Sequence, residues 1–275
     1  MKFTSTHTKF HLSFLTGLVI ILPIMLMALI SKTVSPNRPF DQFPTDRLLS
    51  PSASHLLGTD EFGRDIFSRV LQGAFNSLSV SIVGVAASAI LGISFGITAG
   101  YFGGWIDMVL MRFMDLLFAF PGILMALFIV TALGSGAMNT ALAIAIVYLP
   151  IFTRVVRGQT LSVRNRDFVV ASQALGASHL GRIIKHILPN ILSTILVQIS
   201  LALSWAILVE SSLSYLGLGT LPPEPSLGSM LIDSRPLMEI APWMAVAPGL
   251  AIMLSVLGFN LLSDGLQNML NPYTM

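Results

Sequence analysis

The sequence contains no cysteine and very little charge. Only 10% of its 275 residues are Asp, Glu, Lys or Arg, whereas 54% are hydrophobic and the mean hydropathy is +0.81. A soluble domain usually carries about 25% charged residues. The composition therefore excludes a disulfide scaffold and a disordered chain, and it argues against an ordinary soluble enzyme.

Motifs for catalysis and for nucleotide or metal binding are also missing from the sequence. The dipeptide Gly-Lys does not occur, which excludes a Walker A loop, and there is no HExxH, GxSxG or GxGxxG pattern. The five histidines are not clustered at metal-ligand spacing. We therefore predict no catalytic residue and no metal site, and the lack of a separate basic domain argues against nucleic-acid binding.

Long charge-free runs make up more than half of the chain. They cover residues 10–31, 70–106, 116–153, 186–209 and 240–263. A helix needs about 20 apolar residues to cross a bilayer, and in lipid only helices and closed barrels satisfy the backbone. Because Gly134 and Gly136 divide the third run, we predict an all-α membrane protein with six spans, at 12–30, 78–100, 113–133, 138–152, 191–209 and 243–262.

Lys and Arg residues orient these spans, because they are in excess on the cytoplasmic side. A cytoplasmic N-terminus, residues 1–11, places nine of the 15 inside and six outside. The predicted soluble pieces are an external segment at 31–77, a cytoplasmic loop at 154–190, a second external segment at 210–241 and a cytoplasmic C-terminus at 266–275.

Small residues recur at every fourth position of the second predicted span. Residues four apart lie on one helix face, so this stripe predicts close packing against another helix. The stripe consists of Gly84, Ser88, Gly92, Gly96 and Gly100. Proline can kink a helix, and Pro23, Pro121 and Pro150 lie in or beside spans. The acidic Asp115 and Glu210 fall near span ends, where we predict an interfacial position.

The cytoplasmic loop has the pattern of a helix, a glycine and a second helix. Asp167 suits a helix N-terminus, Gly176 a left-handed C′ position, and Ser178 the N-cap of the next helix. The spacing predicts an apolar face on the second helix and polar residues turned to the cytoplasm. The predicted face is Leu180, Ile183, Ile184 and Ile187, and the polar residues are His179, Arg182, Lys185 and His186. Pro189 ends this helix or turns it into the fifth span. Such an elbow serves either as a plain connector or as a docking element for a cytoplasmic partner.

The elbow resembles the EAA loop of binding-protein-dependent ABC importer permeases. Ala171, Gly176, Leu188 and Pro189 match the pattern at the required spacing, whereas Val170, Ser172 and His186 replace its Glu, second Ala and Ile. The resemblance implies that the elbow couples the permease to an ATPase. The coupling residues it implies are Asp167, Ala171, Ser172, Gly176, Ala177, His186, Leu188 and Pro189.

External stretches are similar to those of the peptide/nickel permease family, C-type subunit. The matching signature residues are Gly58, Thr59, Asp60, Gly63, Arg64, Asp65, Arg69, Gly217 and Gly219. The last span and its exit, at 248–266, also resemble that family. Members often have Arg where this chain has Phe75 and Asn76, and Trp where it has Leu227; these departures bear either on docking of the binding protein or on nothing.

The resemblance implies a multi-pass protein of the bacterial inner membrane with a type I permease domain at 78–265. It implies that this chain lies in membrane lipid and forms a heterodimer with a sister permease, and that two cytoplasmic ATPase subunits and an external solute-binding protein complete the assembly. This chain would bind no cofactor, since ATP is used by the partner subunits. The expected cargo is a small peptide, and nickel or an opine-like chelate is the competing cargo.

Two other classes of protein remain alternatives. An ion-coupled secondary transporter needs an intramembrane ion site and usually an internal repeat, neither of which is visible in the sequence. A membrane-embedded enzyme needs convergent ionisable or metal-binding residues within its spans. The scarcity of intramembrane charge argues against both classes.

Overall fold

The computed structural model describes residues 4–30 and 39–270, with side chains from residue 12 onward. Residues 1–3, 31–38 and 271–275 lie outside the described residues, and so do the parts of the N-terminal, external and C-terminal segments predicted there. The described part of the chain is helical, and its only strand-like feature is an isolated antiparallel bridge between Thr59 and Asp65. The prediction of an all-α fold is confirmed.

Ten α-helices and three short helical turns make up the described structure. The α-helices are α1 (Thr4–Leu29), α2 (Ile66–Phe102), α3 (Gly104–Phe118), α4 (Gly122–Leu133), α5 (Ala137–Arg164), α6 (Asp167–Ala174), α7 (His179–Arg182), α8 (Leu188–Tyr215), α9 (Leu227–Ser234) and α10 (Trp243–Met269). A π-helical turn, Ile183–Ile187, joins α7 to α8 without a break, and 3₁₀ turns lie at Pro44–Asp46 and Arg235–Leu237.

The helix α2 begins well before the predicted second span. Its 37 residues extend for about 55 Å, whereas the hydrocarbon core of a bilayer is about 30 Å thick. The cause is an N-cap: the Asp65 carboxylate accepts a hydrogen bond from the Ser68 backbone N–H at 2.9 Å. The first turns of α2 therefore belong to the predicted external segment.

The predicted third span, 113–133, is not one helix. The structure divides this region into α3 and α4, which are bent by 86° relative to each other. Pro121 supplies the physical reason, because it has no backbone N–H to continue the helical ladder and it disfavours helical geometry in Phe120. Its own ψ angle of 127° lies outside the helical region. The prediction of a kink near Pro121 understated the change, which is a complete break.

The predicted cytoplasmic loop, 154–190, is also largely helical. The helix α5 runs past its predicted end at residue 152 to Arg164, with Pro150 inside it. At the other end of the loop, Pro189 occupies the first turn of α8 and does not terminate a helix. Proline is tolerated in a first turn because its missing N–H needs no partner there. Only a few residues on either side of α6 remain non-helical.

The predicted second external segment, 210–241, also contains helix. The last turns of α8 reach Tyr215, and α9 follows within the segment. The helix α9 starts with a capping box, in which the side chains of Ser226 and Ser229 each accept a bond from the other's backbone N–H. Residues 216–226 connect α8 to α9, and residues 235–242, which include the second 3₁₀ turn, connect α9 to α10.

Two pairs of helices and one helix between them organise the bundle. The small residues of α2 lie against α5, where a Cβ atom at Gly96 would come within 2.7 Å of Thr153 O and Val156 Cβ. The helix α1 packs on α10, with Gly17 against the backbone of Leu262. The helix α8 lies between α2, α5 and α10. This close backbone approach is the means by which membrane helices associate without a hydrophobic driving force.

Five described helices are long and apolar enough to cross a membrane. They begin at residues 12, 66, 137, 179 and 243, and the bent pair of α3 and α4 makes a sixth span if it is counted as one. Broken helices are tolerated in membrane proteins where they are buried or line a cavity.

Candidate functional site

The elbow between α5 and α8 is built around Gly176. Its φ angle of +79° lies in the left-handed region. The Ala177 N–H donates to Ser172 O at 3.1 Å and the Gly176 N–H donates to Gln173 O at 3.0 Å, which together form a Schellman motif. Ser178 then caps α7 by accepting a bond from the Gly181 N–H at 3.1 Å. The structure therefore has the glycine and cap at their predicted positions.

The outer surface of this elbow includes large apolar side chains. Leu175 is 88% exposed, and Leu180 and Ile184 are 66% and 53% exposed. The predicted apolar face is consequently wrong in half of its members, since only Ile183 and Ile187 turn toward the bundle. Ile184 lies within the π turn, where the 3.6-residue period on which the prediction rests does not hold.

The remaining predicted coupling residues are spread over this elbow. Ala171 and Pro189 are exposed, while Ser172, Ala177, His186 and Leu188 are half-buried. Asp167 begins α6 and is exposed, and Val170 at the Glu position of the motif is also exposed. The predicted coupling residues are therefore distributed from α6 to the first turn of α8 and differ in their exposure.

Arg182 was predicted to turn to the cytoplasm, but in the structure it is buried. It is 7% exposed and donates to Gln173 Oε1 at 2.8 Å and to His179 Nδ1 at 3.1 Å. Burial of a charged group is costly unless hydrogen bonds compensate it. The spacing within the second helix gave no sign of Gln173 as a partner, because Gln173 lies on α6, whereas His179 lies on α7 itself, three residues before Arg182.

A cleft of 750 Å³ lies between α4, α5 and α8. Its lining is mostly apolar, and the polar groups are supplied by Tyr148, Gln198 and Ser212. Trp205 is 59% exposed at this surface. None of the described lining residues carries a formal charge. The sequence gives no local sign of this cleft, because its residues come from three helices and follow no motif.

The predicted external signature before α2 forms a compact cap. The Asp60 carboxylate accepts bonds from the backbone N–H of Phe62 and Arg64 and from Arg64 Nε at 2.6 Å, and Arg69 Nε lies 3.6 Å away. The Asp65 carboxylate holds His55 Nδ1 at 3.0 Å in addition to capping α2. These buried contacts fix the loop to the helix.

Close backbone approach explains the two glycines of this cap. A Cβ atom at Gly58 would lie 2.6 Å from Leu49 O, and one at Gly63 would overlap Phe43 O. Both glycines also have positive φ angles. The Thr59 carbonyl accepts a bond from Trp243 Nε1 at 3.3 Å, so the cap is tied to the start of α10.

The second external signature terminates α8. Gly217 has a φ angle of +78°, and its N–H donates to Ser214 O at 3.0 Å. A Cβ atom at Gly219 would overlap the Ser214 side chain. The sequence departures lie close by: Asn76 donates to Pro225 O at 2.7 Å, and Leu227 is 1% exposed. Leu227 is therefore a core residue and presents no surface for docking.

Glu210, which was predicted to be interfacial because it lies near a span end, is fully buried among protein groups in α8. Ser214 Oγ donates to Glu210 Oε1 at 2.8 Å and Ser211 Oγ lies 3.4 Å from Oε2. Asp115, by contrast, is exposed and accepts a bond from Arg154 at 2.7 Å. The serines one turn after Glu210 were the only signal in the sequence that its carboxylate has partners.

The all-helical bundle with a helix–glycine–helix elbow defines a class of membrane permease, and comparison with known proteins specifies it. Residues 92–274 match the family described as binding-protein-dependent transport system inner membrane component. The chain belongs to this family, within the peptide/nickel ABC importers. It is a multi-pass inner-membrane permease subunit without catalytic activity, and ATP hydrolysis is carried out by separate ATPase subunits.

Characterised relatives are similar over nearly the whole chain. The chain is 46% identical over 259 residues to the dipeptide transport system permease protein DppC of Alkalihalophilus pseudofirmus, covering 94% of this chain and 85% of the relative. It is 42% identical to the glutathione transport system permease protein GsiD of Pectobacterium atrosepticum, covering 95% and 87%. The GsiD protein of Escherichia coli is 43% identical, with 95% and 86% covered. Family membership implies an ABC importer with ATPase and binding-protein partners.

Proposed function

We propose that this chain forms, together with a sister permease, the translocation path of an ATP-driven importer for small peptides. An external solute-binding protein delivers the peptide, and two ATPase subunits sit on the cytoplasmic side. The N-terminus is cytoplasmic, which places the elbow and its basic neighbours inside. The chain itself binds no nucleotide.

The outward surface of the elbow is the observation that carries this proposal. Leu175, Leu180 and Ile184 expose apolar side chains on the segment that leads into the membrane helix α8. Exposed apolar side chains grouped in this way mark a protein–protein contact. An ATPase that closes on ATP binding would push this surface, and α8 continues from it into the membrane without a break.

The neutral cleft supports a peptide as the cargo. A small peptide carries an amino group and a carboxylate of opposite charge, and a fixed charge in the path would hold one of them too tightly. The cleft between α4, α5 and α8 offers only neutral groups, including Gln198 and Ser212. The dipeptide and glutathione permeases among the relatives transport small peptides by name, which favours the same class here.

Reconstitution tests the proposal. The tagged chain is purified from membranes, the bound subunits are identified, and the assembly is placed in proteoliposomes with its binding protein and a labelled dipeptide. We expect ATP-dependent uptake that persists when ion gradients are dissipated. Uptake that stops with the ion gradient and ignores ATP would contradict the ABC assignment. Uptake of a nickel chelate without any peptide uptake would contradict the cargo.

A further inference from the structure

Arg182 links three separate elements at the cytoplasmic end of the bundle. Its guanidinium group contacts Gln173 on α6 and His179 on α7, and it lies 5.6 Å from the ring centre of Tyr101, near the end of α2. Neither of these two hydrogen-bond partners among the described residues is a carboxylate. An arginine that is buried without a carboxylate partner contributes little to the stability of a fold.

His179 connects the arginine to α2. The Tyr101 hydroxyl and Arg182 Nη2 lie 3.0 Å and 3.1 Å from the same nitrogen, His179 Nδ1. Arginine only donates hydrogen bonds, so this nitrogen is the acceptor and the ring proton resides on Nε2. A ring nitrogen has one lone pair, and the hydroxyl and the guanidinium therefore compete for it.

The network is also incompletely satisfied. Arg182 Nε is buried and has no hydrogen-bond partner among the described residues. A buried unsatisfied donor costs about 1–3 kcal/mol, and it is unusual in a rigid structural core. Because one donor has no partner and one acceptor is approached by two donors, the network loses little free energy when its partners are exchanged. Such a network suits an element that has two arrangements.

The receiving side of this link is firmly anchored. Arg164, the last residue of α5, donates from Nη1 to Gly100 O at 2.8 Å and to Tyr101 O at 3.3 Å. These bonds fix the end of α2 to the end of α5, so that Tyr101 belongs to the rigid pair of membrane helices. Movement of the elbow therefore reaches that pair through the Arg182 network.

We propose that Arg182 is a positioning residue for energy coupling, which clamps α6 and α7 onto Tyr101 so that the elbow moves the α2–α5 pair. This inference rests on the proposed importer function and adds a second route beside the direct continuation of the elbow into α8. Val169 and Ile187 pack in an apolar cluster that holds the elbow against the bundle. Arg182 sets the direction in which the elbow moves.

The test compares Arg182→Met with Arg182→Lys and with the matched control Arg112→Met. Arg112 is also cytoplasmic in the proposed orientation, and its side chain is 82% exposed. In proteoliposomes containing the full assembly, we expect Arg182→Met to raise the ATP hydrolysed per peptide imported by about tenfold. Arg182→Lys should recover part of the loss, because lysine keeps the charge but not the planar fork. Arg112→Met should match the wild type.

A cross-link provides the reverse test. The chain has no cysteine, so a thiol reagent acts only on introduced positions of this subunit. The variant Tyr101→Cys/His179→Cys should be poorly coupled, and a short bifunctional reagent that joins the two cysteines should restore coupling. Wild-type ATP use per peptide by Arg182→Met would overturn the proposal, as would a cross-linked protein that stays uncoupled.

The importer function and the clamp fail in different ways. A wild-type assembly that lacks ATPase subunits contradicts the proposed function itself. A wild-type assembly that couples normally, with an Arg182→Met assembly equally well coupled, contradicts the clamp alone. If Arg182→Met does not assemble, the cross-linked cysteine variant and Arg182→Lys decide the question.

Discussion

A Cβ atom at Gly92 would overlap the Cβ atom of Phe152, which places the backbones of α2 and α5 in direct contact. Phe152 is fully buried by this arrangement. The same approach is repeated at Gly84 and Gly96 along one face of α2. The two helices therefore behave as one unit through the depth of the membrane.

The first prediction concerns this contact. Gly92→Ala should destabilise the protein, because overpacking of a tight interface costs about 1–3 kcal/mol. The matched control is Gly158→Ala in α5, where a Cβ atom meets no described residue within 4 Å; it should be neutral or stabilising by up to about 1 kcal/mol. Thermal unfolding of the purified chain in detergent measures both. Equal melting temperatures for the two variants would contradict the close packing.

The second prediction concerns the conformation of Gly176. A β-branched residue in the left-handed region is strained by about 1–2 kcal/mol, although a Cβ atom at Gly176 has free space around it. Gly176→Val should therefore insert normally but hydrolyse ATP without uptake, whereas Gly176→Asn should retain uptake because asparagine tolerates this conformation. Uptake and ATP hydrolysis are measured together in proteoliposomes. Normal uptake by Gly176→Val would count against the coupling role of the elbow.

The third prediction concerns the start of α2. Asp65→Ala removes an N-cap, a loss of about 0.5–2 kcal/mol, and also leaves His55 without its partner. Asp65→Asn should be milder, because asparagine still caps a helix. Asp41→Ala, at an exposed carboxylate, is the control and should not change stability. The melting temperatures should fall in the order control, Asn variant, Ala variant, and any other order would contradict the capping role.

The fourth prediction concerns the attachment of α3 to α5 by two ion pairs. Arg157 and Asp107 form a bidentate pair with side chains 32% and 19% exposed, while Arg154 and Asp115 are 40% and 48% exposed. Double-mutant cycles with Asn and Gln should give a coupling free energy of about 1–3 kcal/mol for the first pair. The second should stay below about 1 kcal/mol. A stronger second pair would refute this ranking.

The long apolar runs were sufficient to predict the membrane helices but not their ends. The length of a charge-free run indicates where a helix can cross the lipid. It does not indicate how far that helix continues outside the lipid. The helix α2 illustrates this, since its N-cap at Asp65 precedes the predicted span by a dozen residues. Cap signals were predicted within the cytoplasmic loop, at Ser178, because there the apolar pattern had already drawn attention to a helix start.

The break between α3 and α4 could not be predicted from the sequence pattern, for a different reason. Proline within an apolar run can kink a helix or end it, and the outcome depends on whether neighbouring groups satisfy the freed backbone. Here Pro121 O accepts the Met125 N–H and starts a new helix. Asp107 and Asp115 meanwhile hold α3 to α5. These pairs join residues about 40–50 positions apart, and no local pattern reveals them.

The candidate site was predictable only where it is local. The turn at Gly176 depends on a few consecutive residues, so its geometry could be read from the sequence. The partners of Arg182 and the lining of the cleft come from several helices, and they become visible only when the bundle is assembled. Burial of Glu210 belongs to the same category, because its position near a span end says nothing about its neighbours.

The π turn at Ile183–Ile187 separates two surfaces that a regular helix would keep in phase. Such a turn holds one residue more than an α-helical turn, and one residue corresponds to a rotation of about 100° around the axis. Insertion or deletion of a single residue in this turn would therefore rotate the elbow relative to α8, while α8 itself kept its register in the bundle.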